Sequence, residues 1–140
     1  VIIARFLPEI DAILRMLEKK RINYSVISGE ISDRDDQVRR FQEDPDTTVF
    51  VGQIATAGLG ITLTAADTMV FYSLDYSMSN FEQAKARIHR VGQRNPCTYL
   101  YLVAAGTVDE KVLQALIDKA DLARILIDDY RAGRNPFQTD

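Results

Sequence analysis

Residues 83–94 run QAKARIHRVGQR and gather Lys85, Arg87, Arg90 and Arg94 around His89, the single histidine of the chain. No acidic residue occurs from residue 83 to residue 108, whereas the whole 140-residue chain carries a formal net charge of −3. Positive charge concentrated on an acidic background points to a local anion site rather than a generally basic surface. Arginine suits phosphate, because its planar guanidinium is permanently charged and presents a fork of donors. Placed on a helix, Gln83, Arg87 and Arg90 form one polar stripe, while Phe81, Ala84, Ile88 and Val91 form an apolar stripe for the core. Gly92 then ends that helix, with Arg94 just beyond. A solvated helix face is the plainer explanation for two arginines one turn apart. Gln83 in register, the following Gly92–Gln93 and a glycine loop upstream weigh against it.

That loop is ATAGLGITLTAAD, residues 55–67, after the apolar run TVFVG. Gly58 and Gly60 permit tight turning and close backbone approach, and Thr56 and Thr62 carry hydroxyls suited to a phosphate. A dinucleotide fingerprint fails, because its third glycine falls at Leu63. A Walker A loop fails as well, since none of the seven glycines is followed by lysine. Asp109 and Glu110 open a helix rather than ending a buried strand, so they are expected to cap it, and no metal site is expected. The lone Cys97 forms no internal disulfide and has no CxxC partner, which fits a reducing, intracellular compartment and argues against structural zinc.

These residues need a scaffold, and the hydrophobic pattern supplies one. Composition is 46% hydrophobic and 26% charged, as in a folded domain. No stretch approaches the eighteen or so apolar residues of a membrane span, and no signal peptide is evident. Five apolar runs, 1–4, 23–27, 48–52, 68–73 and 98–104, are predicted to be strands buried on both faces. Helices are predicted between them. Pro8 opens one whose Ile10, Ile13, Leu14 and Leu17 share a face; Ser32 with Asp35, and Thr107 with Glu110, mark two further helix starts. Alternation of strand and helix predicts a parallel α/β sheet with helices on both sides. One domain is expected over residues 1–130, with a polar, frayed tail at 131–140. The chain begins on a strand-like run, as a piece cut from a longer protein would.

Taken together, the motifs resemble the second RecA-like domain of superfamily 2 helicases, specifically the Swi/Snf-type DNA translocases. VIIARFLPEID looks like helicase motif IV, ATAGLGITLTAADTMVFYSLD like motifs V and Va, and QAKARIHRVGQ like motif VI. ISGEISDRDDQVRRFQ and TYLYLVAAGTVDEKVLQAL resemble the intervening and closing segments of that lobe. The resemblance implies a P-loop NTPase-type second lobe without its own Walker A, using ATP and Mg²⁺ held mainly by an N-terminal RecA-like lobe. It implies Arg90 as an arginine finger, Arg87 as a second phosphate contact and Gln83 as the residue that positions them. It also implies Gly58 and Gly60 near the nucleotide or the interdomain seam, and Thr56, Gly29 and Ser28 on the backbone of duplex DNA, read without regard to sequence. His89 is expected to be structural. The lobe alone is expected to hydrolyse no ATP.

Two alternatives stand beside this reading, the first of a different class. A helicase-like docking module has no need of Gln83, Arg87 and Arg90, and an RNA helicase of the superfamily usually carries an HRxGRxxR-type motif in place of QAKARIHRVGQ. The sequence departs from the family pattern at Leu59 and Thr62, where the family usually has glycine and asparagine, and it contains no tryptophan. These departures suggest a divergent branch, whether bacterial, phage-borne or of the annealing-helicase kind, and a bacterial cytoplasm is preferred to a eukaryotic nucleus.

Overall fold

The computed structural model describes residues 1–29, 33–55 and 60–134. Five strands form a single sheet: β1 (Ile2–Ala4), β2 (Tyr24–Ile27), β3 (Val49–Gln53), β4 (Thr68–Phe71) and β5 (Thr98–Tyr101), in the order β2-β3-β1-β4-β5. Every neighbouring pair is parallel, with Ile2 opposite both Val51 and Val70. Four helices connect or follow the strands: α1 (Leu7–Lys19), α2 (Arg34–Glu43), α3 (Met78–Lys85) and α4 (Val108–Arg131).

Strand alternation sends neighbouring side chains to opposite faces, and each face has its own core. On one face Ala4 and Val51 pack with Ile10, Ile13 and Leu17 of α1. On the other, Ile3, Ile27, Phe50, Met69 and Phe71 pack with Phe41 of α2, Phe81 and Ala84 of α3, and Val112 and Leu116 of α4. The helix predicted from Pro8 is therefore present, with Ile10, Ile13 and Leu17 buried as its spacing requires. Glu9 closes its first turn by accepting from the Phe6 amide at 3.1 Å. Deleting any of these buried aliphatic side chains to alanine costs on the order of 2–5 kcal/mol.

The expectation of strands covered on both faces fails at β5. It is an edge strand, and Leu100 and Leu102 are each 49% exposed because α1 covers only the β2-β3-β1 half of its face. The predicted cap Ser32 lies outside the described residues, and Asp33 stands at the N-cap of α2. At α4 the Thr107 hydroxyl accepts from the Asp109 amide, and the Asp109 carboxylate in turn accepts from the Ala104 amide, both at 3.3 Å. Asp109, rather than Glu110, thus reaches back across the helix start, to an amide three residues before the cap. Helix α4 runs through Arg131 and ends in a Schellman motif. Gly133, at φ 71°, donates to the Tyr130 carbonyl, and the Arg134 amide reaches that of Asp129. Residues 135–140 of the expected tail lie outside the described residues.

Candidate functional site

The basic segment begins on α3, where the Ser77 hydroxyl caps the helix by accepting from the Asn80 amide at 3.2 Å. The helix stops at Lys85 instead of running on to Gly92 as the spacing predicts. Beyond it the backbone turns repeatedly: the Arg87 amide donates to Ala84 at 3.1 Å, His89 to Lys85 at 3.2 Å and Gln93 to Arg90 at 3.0 Å. The reason is competition for carbonyls. Helical continuation needs the Arg87 carbonyl for Val91, but the Leu63 amide takes it at 2.9 Å. The Ile88 carbonyl accepts from the Gln93 side chain at 2.9 Å, and that of Lys85 also accepts from the Tyr99 hydroxyl at 3.0 Å. Ile88 still enters the core beside Phe81 and Ala84. Val91 does not: it is 99% exposed, because the turn swings it away from the sheet.

Arg87 and Arg90 share this turn. Arg87 Nε donates to the Gln83 carbonyl at 3.0 Å, and Arg90 Nη1 donates to the Ile61 carbonyl at 3.1 Å. Neither has a carboxylate partner among the described residues. Partial burial, and then the Arg90 charge, push the Arg87 guanidinium below its usual range while leaving it a cation. Two paired cations, each with one nitrogen anchored on a backbone carbonyl, suit a phosphate group. Gln83 touches Arg87 through its main chain; its side-chain amide donates to Ser79 at 3.2 Å instead. His89 is exposed and, with Lys85 and Tyr99, borders a cavity of about 190 Å³. Burial, and then Cys97, push the Tyr99 phenol up to about 12, so it remains a donor to the Lys85 carbonyl.

Residues 61–66 of the glycine loop run against this turn. Gly60 takes φ 74°, and Leu63 is buried. The Ala65 amide donates to the Gln42 side chain at 2.7 Å, and Gln42 Nε2 donates to Thr64 Oγ1 at 3.1 Å. Gln42 and Gln93, whose side chains hydrogen-bond to this loop, are the residues to which sequence reasoning gives no role. Gln93 stood inside the quoted motif, whereas nothing in the α2 sequence marked Gln42.

Two of the residues linked with DNA lie at the carboxyl edge of the sheet. Ser28, half-buried, and Gly29, exposed, follow the carboxyl end of β2, next to the end of β3. A Cβ on Gly29 would sit 3.9 Å from Gln53 Oε1, and Gln53 Nε2 donates to the Arg5 carbonyl at 3.2 Å. Carboxyl ends of parallel strands are the usual place for ligands in such sheets. Among the described residues no hydrogen bond joins Ser28 or Gly29 to Arg87 or Arg90. Thr56 and Gly58 lie outside the described residues. Among the described residues no cluster of three His, Cys, Asp or Glu could hold a metal ion, and no helix is long and apolar enough to cross a membrane.

Residues 1–92, which include the loop and the arginine turn, match the family model for the helicase conserved C-terminal domain. The chain belongs to that family. It is 36% identical over 132 residues to the chromatin-remodeling ATPase INO80 of Aspergillus clavatus, covering 93% of this chain and 8% of that protein. It is 43% identical over 100 residues to INO80 of Cryptococcus neoformans, covering 71% of this chain and 6% of that protein. The crystal structure of the C-terminal part of the Fun30 ATPase domain superposes with a TM-score of 0.78 at 25% identity, over 82% of this chain and 38% of that one. The fold is therefore RecA-like and the chain a C-terminal helicase lobe of the Swi/Snf type, as its motifs imply. These relatives are fungal chromatin-remodeling ATPases, which overturns the preference for a bacterial cytoplasm. The motif departures at Leu59 and Thr62 carry no information about the cell.

Proposed function

We propose that this lobe is the C-terminal half of an ATP-dependent translocase on duplex DNA, in a protein related to the chromatin remodelers. The observation that carries the proposal is the pair Arg87 and Arg90, unneutralised by any carboxylate among the described residues and held on a carbonyl-anchored turn. In this reading Arg90 completes the ATP site across the interdomain seam, meeting the charge that develops on the γ-phosphate, and Arg87 contacts a second phosphate oxygen. Gln83 holds Arg87 through its carbonyl, and Gly58 and Gly60 lie at the seam. Mg²⁺, which neutralises the phosphates of bound ATP, is held mainly by the N-terminal lobe. Because the fingers come from a separate lobe, hydrolysis requires closure and so is tied to movement. Ser28, Gly29 and Thr56 contact the DNA backbone. With a net charge of −3, this lobe alone binds DNA weakly and hydrolyses no ATP.

The test is steady-state ATPase of the full-length protein with and without duplex DNA. Stimulation by duplexes of unrelated sequence is expected. A rate indifferent to DNA would instead support a docking module that keeps the fold without the motor.

A further inference from the structure

The chemistry of the turn leaves one polar side chain unaccounted for. Gln93 lies just beyond the arginines, after Gly92 at φ 101°, a backbone conformation that L side chains rarely adopt. Its carboxamide makes four hydrogen bonds. Nε2 donates to the Ala66 carbonyl at 2.7 Å and to the Ile88 carbonyl at 2.9 Å; Oε1 accepts from the amides of Arg94 and Asn95, both at 3.1 Å. The environment fixes its orientation, since flipping the amide would set oxygen against two carbonyls and nitrogen against two N–H groups. The Ala66 bond crosses to the glycine loop, where two others already join the same segments: Leu63 N–H to the Arg87 carbonyl at 2.9 Å, and Arg90 Nη1 to the Ile61 carbonyl. Three cross-bonds thus tie residues 61–66 to residues 87–93, and only the Gln93 bond is made by an uncharged side chain that has no phosphate to serve.

We propose that Gln93 is a positioning residue for ATP hydrolysis, a four-bonded clip that locks the glycine loop to the arginine turn and so sets where Arg87 and Arg90 meet the nucleotide. The proposal rests on the finger assignment above. The clip acts at a distance from any phosphate, through Ile88 and Ala66. Its loss therefore lets the two arginines drift while their charges and the core beneath them persist. Small misplacement of a group that acts mainly in the transition state lowers turnover more than ground-state binding. The clip also makes the loop and the turn one body, so that a shift in the loop after β3 is carried directly to the arginines.

Two variants separate this from a merely structural role. Gln93→Ala removes all four bonds; Gln93→Glu keeps the length and both acceptor bonds but sets a carboxylate oxygen against the Ala66 and Ile88 carbonyls. In this chain, amide hydrogen exchange of Leu63 is expected to speed up at least about tenfold in both variants, while the Tyr72 amide, bonded to Ile3 in the sheet, stays protected. In the full-length protein with saturating duplex DNA, kcat is expected to fall about 10²-fold with KM for ATP within about threefold of wild type. Unchanged Leu63 exchange would overturn the clip. If Arg90→Ala abolishes turnover while both Gln93 variants keep it, the positioning role is overturned and the finger stands. If Arg90→Ala itself is silent, the finger assignment is what fails, and the catalytic role of Gln93 falls with it.

Discussion

Ile88 and Arg90 stand two residues apart on one turn and face opposite ways, so paired substitutions test the turn directly. Ile88 is fully buried, among Phe81, Ala84 and the α4 residues Val112 and Leu116. Ile88→Ala removes three carbons, about 2.4 kcal/mol of transfer free energy at ~0.8 kcal/mol each. The cavity left behind raises the cost to about 3–4 kcal/mol. For a chain of this size, that lowers the unfolding midpoint by roughly 10 °C. Arg90 is exposed, and the one side-chain hydrogen bond it makes among the described residues, to Ile61, competes with water, so Arg90→Ala changes stability by about 0.5 kcal/mol, or roughly 2 °C. Thermal and urea unfolding followed by circular dichroism measure both. Equal losses would mean that Arg90 is structural, and the assignment of its charge to a phosphate would fail. A harmless Ile88→Ala would refute the packing of the turn on the sheet.

Val91→Asp separates the observed turn from a continuous helix: at 99% exposure it changes stability by no more than about 0.5 kcal/mol, whereas a Val91 facing the sheet would bury a charge and unfold the lobe. Binding of the isolated lobe to duplex DNA, measured by fluorescence anisotropy, is expected to weaken steeply with added salt and to be equal for unrelated sequences. Salt-insensitive or sequence-selective binding would exclude backbone contact through Ser28 and Gly29.

Much of the scaffold was legible because its signals are local. Pro8 with Ile10, Ile13 and Leu17 specified α1 and its buried face; five β-branched and aromatic runs specified five strands; their alternation with helices specified a parallel sheet. The end of α3 was not legible, since it depends on partners far away in sequence. Leu63 takes the Arg87 carbonyl, and Tyr99 shares that of Lys85, on a segment that the pattern Phe81, Ala84, Ile88, Val91 assigns to a helix ladder. Strand coverage was misjudged at β5 for a related reason: its composition matches that of the inner strands, and only topology makes it an edge. The length of α4 escaped because its second half keeps helical spacing while exposing Leu122, Ile125, Ile127 and Tyr130, so burial does not mark its end. Within the site, residue types were readable and geometry was not. The sequence marked Arg87 and Arg90 as a pair, but not that Gln83 would hold Arg87 by its main chain or that Gln93 would bind the turn to the loop.

The central claim is that Arg90 completes an ATP site formed between two lobes. Steady-state ATPase of the full-length protein at saturating duplex DNA, wild type against Arg90→Ala, tests it most directly. The claim predicts a fall of about 10³-fold or more, the scale of arginine fingers, in a variant that remains folded. A DNA-stimulated rate unchanged by the substitution would contradict it.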